Sequence, residues 1–60
     1  MERLLSIAEV AAALGVPEAS CRYWRYAGTG PTSIKVGRHV RYRPEDVQTW
    51  LEANAAPAAS

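Results

Sequence analysis

Six cations in the middle of the sequence have the most evident chemistry. Arg22, Arg25, Lys35, Arg38, Arg41 and Arg43 fall in a stretch, Ala19 to Arg43, that contains no acidic residue. The acids lie outside it, with Glu2, Glu9 and Glu18 before and Glu45, Asp46 and Glu52 after. The net charge is only +1 and says little by itself. Its segregation says more, because a near-neutral chain with a basic centre presents one positive face to an anionic partner. Charge runs are often plain solvated surface, so the reading depends on the elements that carry these side chains.

Other chemistries are poorly supplied. With a single His39, a single Cys21, no clustered carboxylates and no phosphate loop, a nucleophile, base and orienting group cannot be assembled. No catalytic residue, metal site or cofactor is expected. The tyrosines do not change this, since a catalytic Tyr of a recombinase needs a supporting cluster and a far larger fold. Cys21 is expected to be a small buried hydrophobe, in keeping with a reducing interior. The start, Met-Glu-Arg-Leu-Leu, leads into no long apolar run, so neither a signal peptide nor a membrane span is expected. The protein is expected in the cytoplasm.

The cations need a scaffold, and the sequence outlines one. Ser6 and Glu9 have capping-box spacing, and Leu5 can staple onto Val10. Ile7, Val10, Ala11 and Leu14 then follow the stripe of an amphipathic helix that Gly15 ends. Pro17 suits the first position of a second helix, with Val16 as its N-cap, and Gly28 suits its end. Two helices joined so tightly outline a helix-turn-helix. After the loop Gly28–Thr32, Ile34, Val36, Val40 and Tyr42 alternate with Lys35, Arg41 and Arg43, as in a half-buried strand pair. Gly37-Arg38 supplies a type II′ turn between the strands. Pro44 opens a third helix with Glu45 and Asp46 in its first turn, a stripe of Val47, Trp50 and Leu51, and Tyr42 stapled to Val47. Ala53 to Ser60 reads as a bland tail, disordered from Ala56. The expected fold is α+β, a winged helix-turn-helix of three short helices and a two-stranded wing, in one domain over residues 1–55. A 60-residue chain buries only about 60% of the surface it exposes when unfolded, so its stability is expected to be marginal.

A helical wheel places Cys21, Trp24 and Gly28 of the second helix inward. Ala19, Arg22, Tyr23 and Tyr26 face outward, with Arg25 on the flank. Two tyrosines and an arginine suit a helix entering a major groove about 12 Å wide, where Arg pairs bidentately with guanine for roughly 1–3 kcal/mol of discrimination. Arg22 and Tyr23 are the expected base readers, Ala19 lies near the base edges, and Arg25 suits a phosphate. Lys35, Arg38, Arg41 and His39 would form the outer face of the wing, with Arg38 at its tip, and Arg43 completes the basic set. Four to six neutralised phosphates would give a salt slope of roughly −4 to −5. Trp24 and Trp50 are expected in the core.

Four stretches, in this order, carry a resemblance. They are Leu5-Ser6-Ile7-Ala8-Glu9-Val10-Ala11-Ala12-Ala13-Leu14-Gly15-Val16, Tyr23-Trp24-Arg25-Tyr26-Ala27-Gly28-Thr29-Gly30-Pro31, Ile34-Lys35-Val36-Gly37-Arg38-His39-Val40-Arg41-Tyr42-Arg43, and Asp46-Val47-Gln48-Thr49-Trp50-Leu51. Together they resemble the small excisionase-type winged helix-turn-helix proteins, related to the DNA-binding domain of MerR-like regulators. The resemblance implies double-stranded DNA as partner, a second helix that reads the major groove, and a wing on the neighbouring groove. In phage and mobile-element members it implies a recombination directionality factor that binds repeated sites, bends DNA and assists an integrase. Further copies on adjacent sites, in a bacterial host at the nucleoid, follow from that reading. Where the family usually has Ser or Thr to cap the second helix, this chain has Pro17. The alternative role is a small MerR-like transcriptional regulator, and a module meeting an acidic protein ranks below both.

Overall fold

A computed structural model describes the protein over residues 3–55, so the expected tail from Ala56 onward lies outside the described residues. The elements are α1 (Ile7–Leu14), α2 (Glu18–Ala27), β1 (Ser33–Val36), β2 (His39–Tyr42) and α3 (Pro44–Asn54). Three helices and a two-stranded antiparallel hairpin make the expected α+β winged helix-turn-helix arrangement.

The first helix is closed at both ends. Ser6 Oγ accepts from the Glu9 amide at 3.1 Å, and the Ser6 amide donates to Glu9 Oε1 at 2.9 Å. Arg3 reaches the other oxygen of the same carboxylate. The backbone hydrogen bond from Ser6 holds the Glu9 carboxyl below its usual range, and Arg3 reinforces it against the opposing effect of desolvation. At the far end Gly15 adopts φ +72°, a left-handed conformation that disfavours a side chain. The Val16 amide then bonds Ala11 O at 3.0 Å and the Gly15 amide bonds Ala12 O at 3.3 Å.

That closure corrects the expected start of α2. The first carbonyl to accept from α2 is that of Pro17, from the Ser20 amide at 3.0 Å, while the Val16 amide finishes α1 and the Val16 side chain packs on the core. Pro17 itself is the N-cap, at φ −64° and ψ 148°, with no side-chain cap bond. Gly28 ends α2 as expected, at φ +75°; it stands past the helix and is exposed, not inward.

The hairpin brings a larger correction. Gly37 has φ +63°, and among the described residues no non-glycine has positive φ, which fits the expected type II′ turn. The turn sets Val36 opposite His39, Lys35 opposite Val40, Ile34 opposite Arg41 and Ser33 opposite Tyr42. Opposed residues share a face, so an even position on β1 matches an odd position on β2. Ile34, Val36, Val40 and Tyr42 therefore do not form one inward face. Val40 and Tyr42 share the core-facing side with Ser33 and Lys35, while Ile34 and Val36 share the other with His39 and Arg41. Val36 is accordingly 48% exposed.

The core consists of Val10, Ala11, Cys21, Tyr42 and Val47, with Leu5, Ile7, Leu14, Val16, Trp24 and Val40 against it. The residues expected to form the two staples all lie in or against this cluster, Val10, Tyr42 and Val47 within it and Leu5 packed on it. Leu5 also pairs with Tyr42 through two backbone hydrogen bonds of 2.8 Å, adding a residue to the free edge of β2. Of the expected α3 stripe only Val47 is buried. Leu51 lies outside the cluster and is 36% exposed, because α3 meets the core at Val47 and contacts α2 through Trp50. The helix extends to Asn54, past the expected start of the tail.

Trp24 and Trp50 are half-buried at the edge of the core, not within it. Their rings pair at 5.1 Å with a 39° tilt, and Trp50 Nε1–H donates to Thr29 O at 2.9 Å. This clasp ties the end of α2 and the loop into the wing to α3. Gly30 lies under it, where a Cβ would meet Trp24 Cβ at 2.7 Å.

Two outcomes are expected in thermal unfolding. Gly30→Ala forces the Trp24 contact apart and should cost about 1–3 kcal/mol, with the midpoint falling by roughly 4–8 °C per kcal/mol. An unchanged midpoint would mean that the loop does not pack on Trp24. Because the Glu9 carboxyl is lowered by folding, its contribution is present above the unfolded carboxylate range and lost as pH falls through the folded value. Ser6→Ala should cost about 1 kcal/mol near neutrality and flatten the acid side of the stability–pH curve. An acid limb of unchanged steepness would refute the assignment to this cap.

Candidate nucleic-acid interface

The outward side of α2 follows from its inward anchors. Cys21 is 2% exposed and Trp24 is half-buried, which turns Ala19, Arg22, Tyr23, Arg25 and Tyr26 out to solvent. Tyr23 is 66% exposed and Tyr26 90%. Tyrosines left this open contribute nothing to the core, so the fold does not account for them. Burial pushes the Cys21 thiol up, with Glu18 adding to the effect, which keeps it protonated and poorly nucleophilic.

Arg22 is not solitary. Its Nη2 donates to Glu18 Oε1 at 3.0 Å, one helical turn earlier, with both side chains largely open to water. In the sequence Glu18 stands out only as one of the acids flanking the basic stretch. Its signal was available, since Glu18 is the sole acid between Glu9 and Glu45.

The wing divides its cations. Lys35, Arg38 and His39 are exposed, with Arg38 in the turn. Lys35 is on the strand face opposite that of His39 and Arg41, so one outer row of Lys35, Arg38 and Arg41 is not formed. Arg41 is half-buried, and its Nη1 donates to Val40 O at 2.8 Å. Arg43 is the N-cap of α3, with Nη1 3.9 Å from Asp46 Oδ2. Among the described residues Arg25, Lys35 and Arg38 make no ion pair, which leaves their charge fully available.

Burial, then the neighbouring Cys21, raises the Tyr42 phenol above its usual value, while Arg25 acts in the opposite sense. The arrangement offers a rod with an arginine and two tyrosines, an unpaired arginine on the same helix, and two unpaired cations on the wing. Phosphates match the second and third of these, and base edges the first.

Among the described residues no helix is long and apolar enough to cross a membrane. No curated protein matches the chain. The profile of a helix-turn-helix domain family matches it over residues 4–55, nearly all of the described structure. That match covers both helices of the motif, the wing and α3, and the chain belongs to this helix-turn-helix domain family, whose members imply DNA as the partner.

Proposed function

We propose that this protein is a sequence-specific, non-catalytic DNA-binding factor of the excisionase type, a recombination directionality factor. It acts in the cytoplasm of a bacterial host, at the nucleoid, with an integrase as partner. The observation that carries the reading is the pairing of an open Arg22, Tyr23 and Tyr26 on α2 with the unpaired Lys35 and Arg38 on the wing, inside the helix-turn-helix match. The ordered resemblance of the four stretches supports the excisionase assignment within that family.

In this reading α2 enters the major groove and supplies specificity. Arg22 reads guanine, Tyr23 and Ala19 line the base edges, and Tyr26 and Arg25 meet the flanking strand. The wing supplies affinity through Lys35, Arg38, His39 and Arg41, and Arg43 adds to the positive field. A single module of this kind buries roughly 600–1,000 Å² on DNA, so useful affinity calls for further copies on adjacent sites. Bending of the DNA between them would let the integrase assemble for excision.

The test is a gel-shift titration on DNA from the element's attachment region at two salt concentrations, with Arg22→Ala and Arg38→Ala in parallel. Stepwise cooperative complexes are expected, weakened by both substitutions and by salt with a slope of roughly −4 to −5. Arg22→Ala should lose roughly 1–3 kcal/mol of base discrimination, while Arg38→Ala should weaken all sequences alike. Tight binding to a promoter and none to the attachment region would replace this role with transcriptional regulation. Absence of binding to any DNA at low salt would end the reading.

A further inference from the structure

We propose that Glu18 is a positioning residue that sets specificity on the recognition helix, acting through Arg22 to suppress binding to arbitrary DNA. The proposal rests on the reading of α2 as the helix that meets DNA. An acid is out of place on such a helix, and Glu18 is the only one between Glu9 and Glu45. Yet it sits on the first turn of α2, the end that reaches base edges in helix-turn-helix docking, and holds Arg22 at 3.0 Å.

The pair discriminates between two targets for the guanidinium. A phosphate carries a full negative charge, so drawing Arg22 onto it brings the Glu18 carboxylate against a like charge. Guanine O6 and N7 carry none. A guanidinium has five N–H donors, so Arg22 can keep Glu18 on Nη2 and offer two other donors to the guanine edge. Glu18 thus leaves the specific contact intact and penalises the non-specific one. A plain surface pair on a helix would do neither, and the openness of both side chains means that the fold gains little from holding them together.

The experiment begins with selection of a preferred duplex from a randomised pool by the wild-type protein. Affinities for that duplex and for an unrelated one are then measured as a function of salt, for the wild type, Glu18→Gln, Glu18→Ala, Arg22→Ala and the Glu18→Gln/Arg22→Ala double variant. With the acid gone, the unrelated duplex should bind about fivefold to tenfold more tightly near 0.1 M salt, with a salt slope steeper by about one, the signature of one added phosphate contact. The preferred duplex should change by less than about twofold, so the specificity ratio falls. In the Arg22→Ala background the loss of the acid should leave the ratio unchanged. A misfolded variant would weaken both duplexes, the opposite sign, and circular dichroism identifies it. An unchanged ratio in both Glu18 variants, or the same fall without Arg22, would overturn the proposal. So would DNA binding with no preferred duplex, which leaves the DNA-binding reading standing. No binding by the wild type to any duplex would instead remove the reading on which the proposal rests.

Discussion

The structure depends on how Tyr42 is held. Its backbone bonds Leu5 on one side of β2 and faces Ser33 across the hairpin on the other. Its side chain, 2% exposed, lies in a cluster with Val10 of α1, Cys21 of α2 and Val47 of α3. A two-stranded hairpin is at best marginally stable in water, so the wing must be fixed to the body. Tyr42, with Val40 against the same cluster, packs it among residues of all three helices, and the segment before α1 secures Tyr42 from the outer edge. Among the described residues five are buried, and the aromatic ring is the largest contributor of contact area to them.

Legibility followed the range of the interactions. The Ser6–Glu9 box, the glycine ends of α1 and α2, the turn at Gly37 and the Pro44 start of α3 all use residues within a few positions of one another, and each is present as the residue types imply. The Val16–Pro17 start is displaced by one residue because Pro17 keeps an extended ψ of 148° and caps α2 with its own carbonyl, a choice that proline's fixed φ leaves open. The hairpin faces failed differently. Alternation was read straight through the turn, although a two-residue loop reverses parity and the register could have been written down from Gly37-Arg38 alone. The Leu5–Tyr42 bridge and the tryptophan clasp join residues far apart in sequence, and nothing local announces them. For the candidate interface, exposure on α2 is legible from the inward anchors. Arg22, Arg41 and Arg43 are each engaged by a group within four residues, so spacing offers these partners, but only the rotamers the side chains adopt decide that each pair forms.

Charge is divided between the two halves of the interface in a way the net value conceals. Among the described residues Arg22 on α2 is balanced by an acid, whereas Arg25 on the same helix and Lys35 and Arg38 on the wing have none. Long-range attraction to a polyanion therefore originates mainly at the wing and at Arg25, and the Arg22 pair acts at contact distance, where hydrogen-bond geometry governs. Screening by salt weakens the first far more than the second.

The clasp between α2 and α3 has an optical consequence. The chain has two tryptophans, and they are the two that pair, so its indole absorption and emission arise from one spot beside Thr29 and Gly30. Rings 5.1 Å apart interact electronically, and their near-ultraviolet dichroism belongs to the pair rather than to either residue. The protein thus contains its own gauge of whether the third helix remains seated on the second. Light reads that joint without a label, while the tyrosines on the outward face of α2 stay free to report separately on whatever they touch.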